Sequence, residues 1–84
     1  MTLADDEIKT IVTDVAKDNH IPVEAVSTTP AIDSAGLAAI EIVISIAPGT
    51  SPASIGDQST RTTSEVVRKL ADKGEDRLPI VWYE

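Results

Sequence analysis

The residues that could do chemistry are few. Nucleophilic catalysis needs a nucleophile, a base and an orienting group within reach of one another. The chain has seven serines but a single histidine, His20, which stands in no motif. His20 follows a helical pattern, where an imidazole commonly serves the negative end of the helix dipole. With no cysteine, disulfides, thiolate catalysis and cysteine-ligated zinc are excluded. Asp14 and Asp18 share a helical face at i, i+4, with Asn19 and His20 adjacent. Such oxygen ligands suit a weakly held hard cation. No third ligand follows at a useful spacing, so solvated acids are the plainer reading. Asp5, Asp6 and Glu7 are consecutive and do not share a helix face. No catalytic, cofactor or metal residue is therefore assigned.

The stretch Gly49-Thr50-Ser51-Pro52-Ala53-Ser54-Ile55-Gly56 joins glycines to hydroxyls. Anions bind at such places when a helix N-terminus follows. The lysine of a phosphate-binding loop is missing, and the dinucleotide fingerprint is not present. This reads as a mobile Ser/Thr-rich loop over residues 50–59, with hydroxyls that cap a helix.

The elements that must position these residues follow from periodicity. Ile40, Ile42, Ile44 and Ile46 alternate with Glu41, Val43, Ser45 and Ala47. A side-chain period of two puts the isoleucines on one face of a strand. Ahead of it, Ile8, Ile11, Val12 and Val15 form one helical face. Thr2 or Asp5 can cap that helix, and Asn19 is a left-handed stop before Ile21-Pro22. Val26 to Ile32 is a weaker strand, pushed to the sheet edge by Pro30. Asp33-Ser34-Ala35-Gly36 turns it back into the isoleucine strand. Thr62, Thr63, Val66, Val67 and Leu70 predict a second helix closed by Lys73-Gly74. Either it starts at a Ser51-Pro52 cap and runs on through Gly56 at ~1 kcal/mol, or, the favoured reading, a loop precedes it and it is capped near Ser59 or Thr60. In Leu78 to Tyr83, one face takes Leu78, Ile80 and Trp82, and the other Pro79, Val81 and Tyr83. A helix between two strands of one sheet makes a parallel crossover. The fold class is α+β: one domain over residues 1–84, order α-β-β-α-β, with a three-stranded mixed sheet and both helices on one face.

That order, with Ile-Gly after the central strand, resembles the bacterial type of KH domain from Ile40 onward. The resemblance implies binding of single-stranded nucleic acid through a glycine-x-x-glycine loop. At the matching place stands Gly56-Asp57-Gln58-Ser59. The second glycine is missing and an acid replaces the basic residue, so no binding residue carries over.

Charge divides the chain. The net charge is −7, and residues 1–60 hold nine acids against two bases. Residues 61–84 balance, with Arg61, Arg68, Lys69, Lys73 and Arg77 among them. An acidic surface repels phosphate and attracts basic partners. Nucleic-acid contact through Arg61, Arg68 and Lys69 is the alternative, although Glu65 and Asp72 interleave them. The favoured expectation is a small, acidic, non-enzymatic module that binds a basic protein or a copy of itself. Val43, Ala47, Val81 and Tyr83 supply the apolar outer face of the sheet. No cofactor is implied. No apolar run reaches the ~20 residues of a membrane span, and the acidic N-terminal residues are unlike a secretion signal, so a cytoplasmic setting is expected.

Overall fold

A computed structural model describes residues 2–84. Helix α1 spans Asp5–Asp18 and buries Ile8, Val12, Val15 and Ala16. Its N-cap position is Ala4, which makes no side-chain cap, so neither Thr2 nor Asp5 fills that role. Asp5, Asp6 and Glu7 occupy the first turn, where negative charge complements the helix dipole. The expected left-handed stop at Asn19 falls one residue later: Asn19 has φ −93°, and His20 takes φ 64°. The His20 amide donates to the Lys17 carbonyl and the Ile21 amide to the Ala16 carbonyl, each at 3.0 Å. This is a Schellman closure, in which an apolar residue after the left-handed position packs back on the helix. Ile21 does so, clustering with Ala16. The Asn19 amide group is left to reach across to the second helix, donating to Thr62 Oγ1 at 3.0 Å.

Strand β1 spans Val23–Ile32 and β2 spans Ala38–Ile46. They pair antiparallel, with a register shift between Val23 and Ala25. β1 is longer than the Val26–Ile32 pattern predicts because this irregularity lets Val23 continue the ladder opposite Ile46. Asp33 Oδ1 accepts from the amides of Ala35 and Leu37, both at 2.9 Å, and Gly36 supplies the positive φ of 81° that the turn needs. β3, Leu78–Tyr83, lies parallel to β2. The strand order is β1-β2-β3, with β2 central.

The segment expected to be a mobile loop is helical from residue 52 on. A 3-10 turn covers Pro52–Ile55, where Ser51 accepts a hydrogen bond from the Ala53 amide. Helix α2 then runs from Gly56 to Asp72. Ser59 and Thr60 do not cap it; their hydroxyls donate to the Gly56 carbonyl inside the first turn. The physical reason is Ile55. It is buried among Ala16, Ile21 and Ile46, and that anchoring outweighs the ~1 kcal/mol helical cost of a glycine. α2 buries Thr62, Val66 and Leu70. With α1 it covers the isoleucine face of β2, and Ile40, Ile42 and Ile44 are wholly out of solvent.

Candidate functional site

Pairing register fixes which side chains share each face of the sheet. Ile42 is opposite Thr28 on β1 and Val81 on β3; Ile44 is opposite Val26 and Tyr83. These lie on the helix-covered face, and Val26, Val81 and Tyr83 pack against the main core cluster. The other face carries Ser27, Val43 and Trp82 in one row, and Thr29, Glu41 and Ile80 in the next. Neither helix covers it. Trp82 is 55% exposed, Val43 and Ile80 are half-buried, and Ser27 and Thr29 are exposed. The face is therefore apolar toward β3 and polar toward β1, with Glu41 between.

Of the four residues expected on the outer face, Val43 is there. Ala47 lies beyond the end of β2, its amide donating to the Pro22 carbonyl at 2.8 Å. Val81 and Tyr83 face the opposite way, and this corrects the expected facing of the last strand. The cause is the Tyr83 hydroxyl. It donates to the Ser59 carbonyl at 2.9 Å and meets Thr63 Oγ1 at 2.9 Å, both on α2. Burial pushes the Tyr83 hydroxyl up, against the opposing hydrogen bond with Thr63. A buried aromatic with a polar tip needs such partners, and the hydroxyl-rich start of α2 provides them. Ile80 and Trp82 are the outward residues that sequence reasoning missed. The Ser/Thr run facing a tyrosine was the signal that could have found them.

Elsewhere the chemistry is structural. Glu75, its side chain fully out of solvent, accepts from the Leu3 amide at 3.0 Å and the Arg77 amide at 3.0 Å. The Arg77 guanidinium adds a two-pronged contact at 3.0 and 2.9 Å. That guanidinium contact, with the backbone amides of Arg77 and Leu3, holds the Glu75 carboxyl down to about 2 against the opposing effect of burial. The clasp ties the chain before α1 to the loop before β3. Beside it, a cavity of about 520 Å³ is lined by Leu37, Val67, Leu70, Leu78 and Pro79.

Arg61, Arg68 and Lys69 are all exposed on α2, and their placement does not assemble a nucleic-acid groove. Asp72 shares their side of the helix. Glu65 is turned toward Asn19 at 3.4 Å. Gly56-Asp57-Gln58-Ser59 forms the first turn of α2 instead of the exposed loop that the KH resemblance implies, which corrects that resemblance. His20, Asp14 and Asp18 are exposed. Among the described residues, no group of three or more His, Asp or Glu is arranged to hold a metal ion. No helix among them is long and apolar enough to cross a membrane.

No protein-family model matches the chain, and no curated protein sequence matches it. Two solved structures do. The C-terminal domain of MamM, in a doubly substituted form, aligns with a TM-score of 0.55 at 11% identity, over 94% of this chain and 90% of that one. The metal-bound C-terminal domain of the CzcD transporter from Cuprividus metallidurans aligns with a TM-score of 0.45 at 17% identity, over 86% of this chain and 94% of that one. The likeness to the MamM domain shows the fold, a small α+β domain of order α-β-β-α-β.

Proposed function

We propose that this chain is a non-enzymatic protein-interaction module whose docking surface is the uncovered face of its sheet. The observation that carries the reading is Trp82, one of two aromatics in the chain. It stands 55% exposed beside Ile80 and Val43, where no element of the fold reaches. Exposed tryptophans in apolar surroundings are the usual anchors of protein interfaces. At ~4.8 Å between strands and ~3.3 Å per residue, the face measures roughly 14 by 20–30 Å. That footprint, roughly 280–420 Å², is well below the about 800 Å² per partner that a stable interface usually buries. Affinity then depends on a few anchors, with Trp82 at their centre.

Site-specific photo-crosslinking in the source cell tests this. A photoreactive residue at Thr29 or Ser27, beside the apolar rows, is expected to give a discrete protein adduct. The same residue at Arg68, on the outer side of α2, is expected to give none. Trp82→Glu should abolish the adduct while leaving the fold intact. An adduct of twice the chain's mass identifies a second copy as the occupant. Equal adducts from Arg68, or adducts indifferent to Trp82→Glu, would overturn the assignment.

A further inference from the structure

Glu41 lies in the middle of this face, in register between Thr29 and Ile80. Its neighbours along β2, Ile40 and Ile42, point into the core. Among the described residues its carboxylate makes no hydrogen bond or ion pair. The other outward side chains of the three strands are uncharged; Glu24 at the β1 irregularity and Glu84 beyond β3 add only acids at one end. The cations are all elsewhere. Every lysine and arginine belongs to α1, to α2 and its C-cap, or to the loop before β3.

From this placement we infer that Glu41 selects the occupant of the open face: a largely apolar protein surface that sets one lysine or arginine opposite this carboxylate. The inference rests on the reading of the sheet face as a docking surface. Ile80 is one strand away from Glu41, ~4.8 Å across the sheet. A partner laid across Ile80, Trp82 and Val43 also covers Glu41. Burying an unpaired carboxylate costs more than burying a large apolar side chain gains. An unmodified copy of the chain, laid face to face, brings a second carboxylate and no cation. A partner with a cation turns that cost into a charge-assisted hydrogen bond. The same carboxylate therefore attracts one class of surface and rejects the rest.

A charge swap supplies such a surface without knowledge of the natural partner. The Glu41→Lys chain keeps Trp82, Ile80 and Val43 but places a cation at the centre of the face. Wild type and Glu41→Lys are each expected to sediment as monomers at concentrations where their equimolar mixture forms a heterodimer. The mixed pair should be at least ten-fold tighter than either self-pair and should weaken as salt rises. Adding Trp82→Glu to one member should dissolve it. Glu41→Gln, a milder change that preserves the fold if lysine does not, should self-associate at least ten-fold more tightly than wild type. If wild type self-associates as tightly as the mixture, Glu41 is not the selector, although the face still docks a partner. If neither the mixture nor Glu41→Gln associates, the inference is overturned, while the docking reading stands or falls on the Trp82-dependent crosslink.

Discussion

The Glu75–Arg77 clasp sets how this domain responds to acid. Glu75 titrates far below an ordinary glutamate because the Arg77 guanidinium and two backbone amides hold its charged form. Going from the usual 4.5 to about 2 corresponds to ~3 kcal/mol at ~1.4 kcal/mol per pH unit. The carboxylate is shielded, yet it sits under a thin layer of atoms in a small domain, and the Arg77 side chain keeps 12% exposure. Solvent screening cuts the usable figure to about 1–2 kcal/mol. The sign follows from linkage. A carboxyl whose folded value is depressed adds stability that is fully present above the unfolded value near 4.5 and is lost as pH falls toward 2. Urea unfolding of wild type and Glu75→Gln across pH 7 to 2 isolates this contribution, because every other carboxyl is common to both. Wild type should be the more stable by about 1–2 kcal/mol from pH 7 to 5, a shift of roughly 4–16 °C in melting temperature. The gap should close between pH 5 and 2. A gap that stays constant over that window, or no gap at pH 7, would refute the clasp as an electrostatic tie.

Two further predictions probe the covered face. Ile44→Ala should cost about 2–5 kcal/mol in denaturant unfolding, because Ile44 has no solvent exposure; Glu41→Ala, one strand face away, should change stability by less than about 0.5 kcal/mol. Tyr83→Phe strands the Ser59 carbonyl and the Thr63 hydroxyl and should cost about 1 kcal/mol. Because burial raises the Tyr83 hydroxyl, its contribution is full below the unfolded value near ~10 and is lost as pH rises through the folded value, so Tyr83→Phe should flatten that alkaline limb in pH-dependent melting.

The parts of the fold that were legible in sequence are those where one local pattern had no rival. The isoleucine alternation admitted only one buried face, and the Ile8-to-Val15 spacing admitted only one helix face. What was not legible depended on contacts between elements. Gly56 reads as a helix breaker until Ile55 is seen buried against Ala16, Ile21 and Ile46. Asn19 reads as the stop, but the positive φ falls on His20, with Asn19's amide bound to Thr62 across the helix pair. β3 offers two apolar rows of similar weight. The hydroxyls on α2 that receive Tyr83 decide between them, and with that decision the candidate surface moves from Val81 and Tyr83 to Ile80 and Trp82.

The division of labour between the two aromatics carries the functional argument further. Tyr83 is tied by its hydroxyl to α2 and packs on the core, so its role is in folding. Trp82, its neighbour, points the other way and contributes little to the core. An exposed tryptophan on an uncovered sheet face invites nonspecific association. Glutamate is a poor strand former, yet one occupies the middle of the central strand on that same face. A local cost beside an exposed anchor is the pattern expected where binding, and not stability, sets the residue. Under the proposed docking reading, the carboxylate reserves the open face for a surface that brings the missing charge.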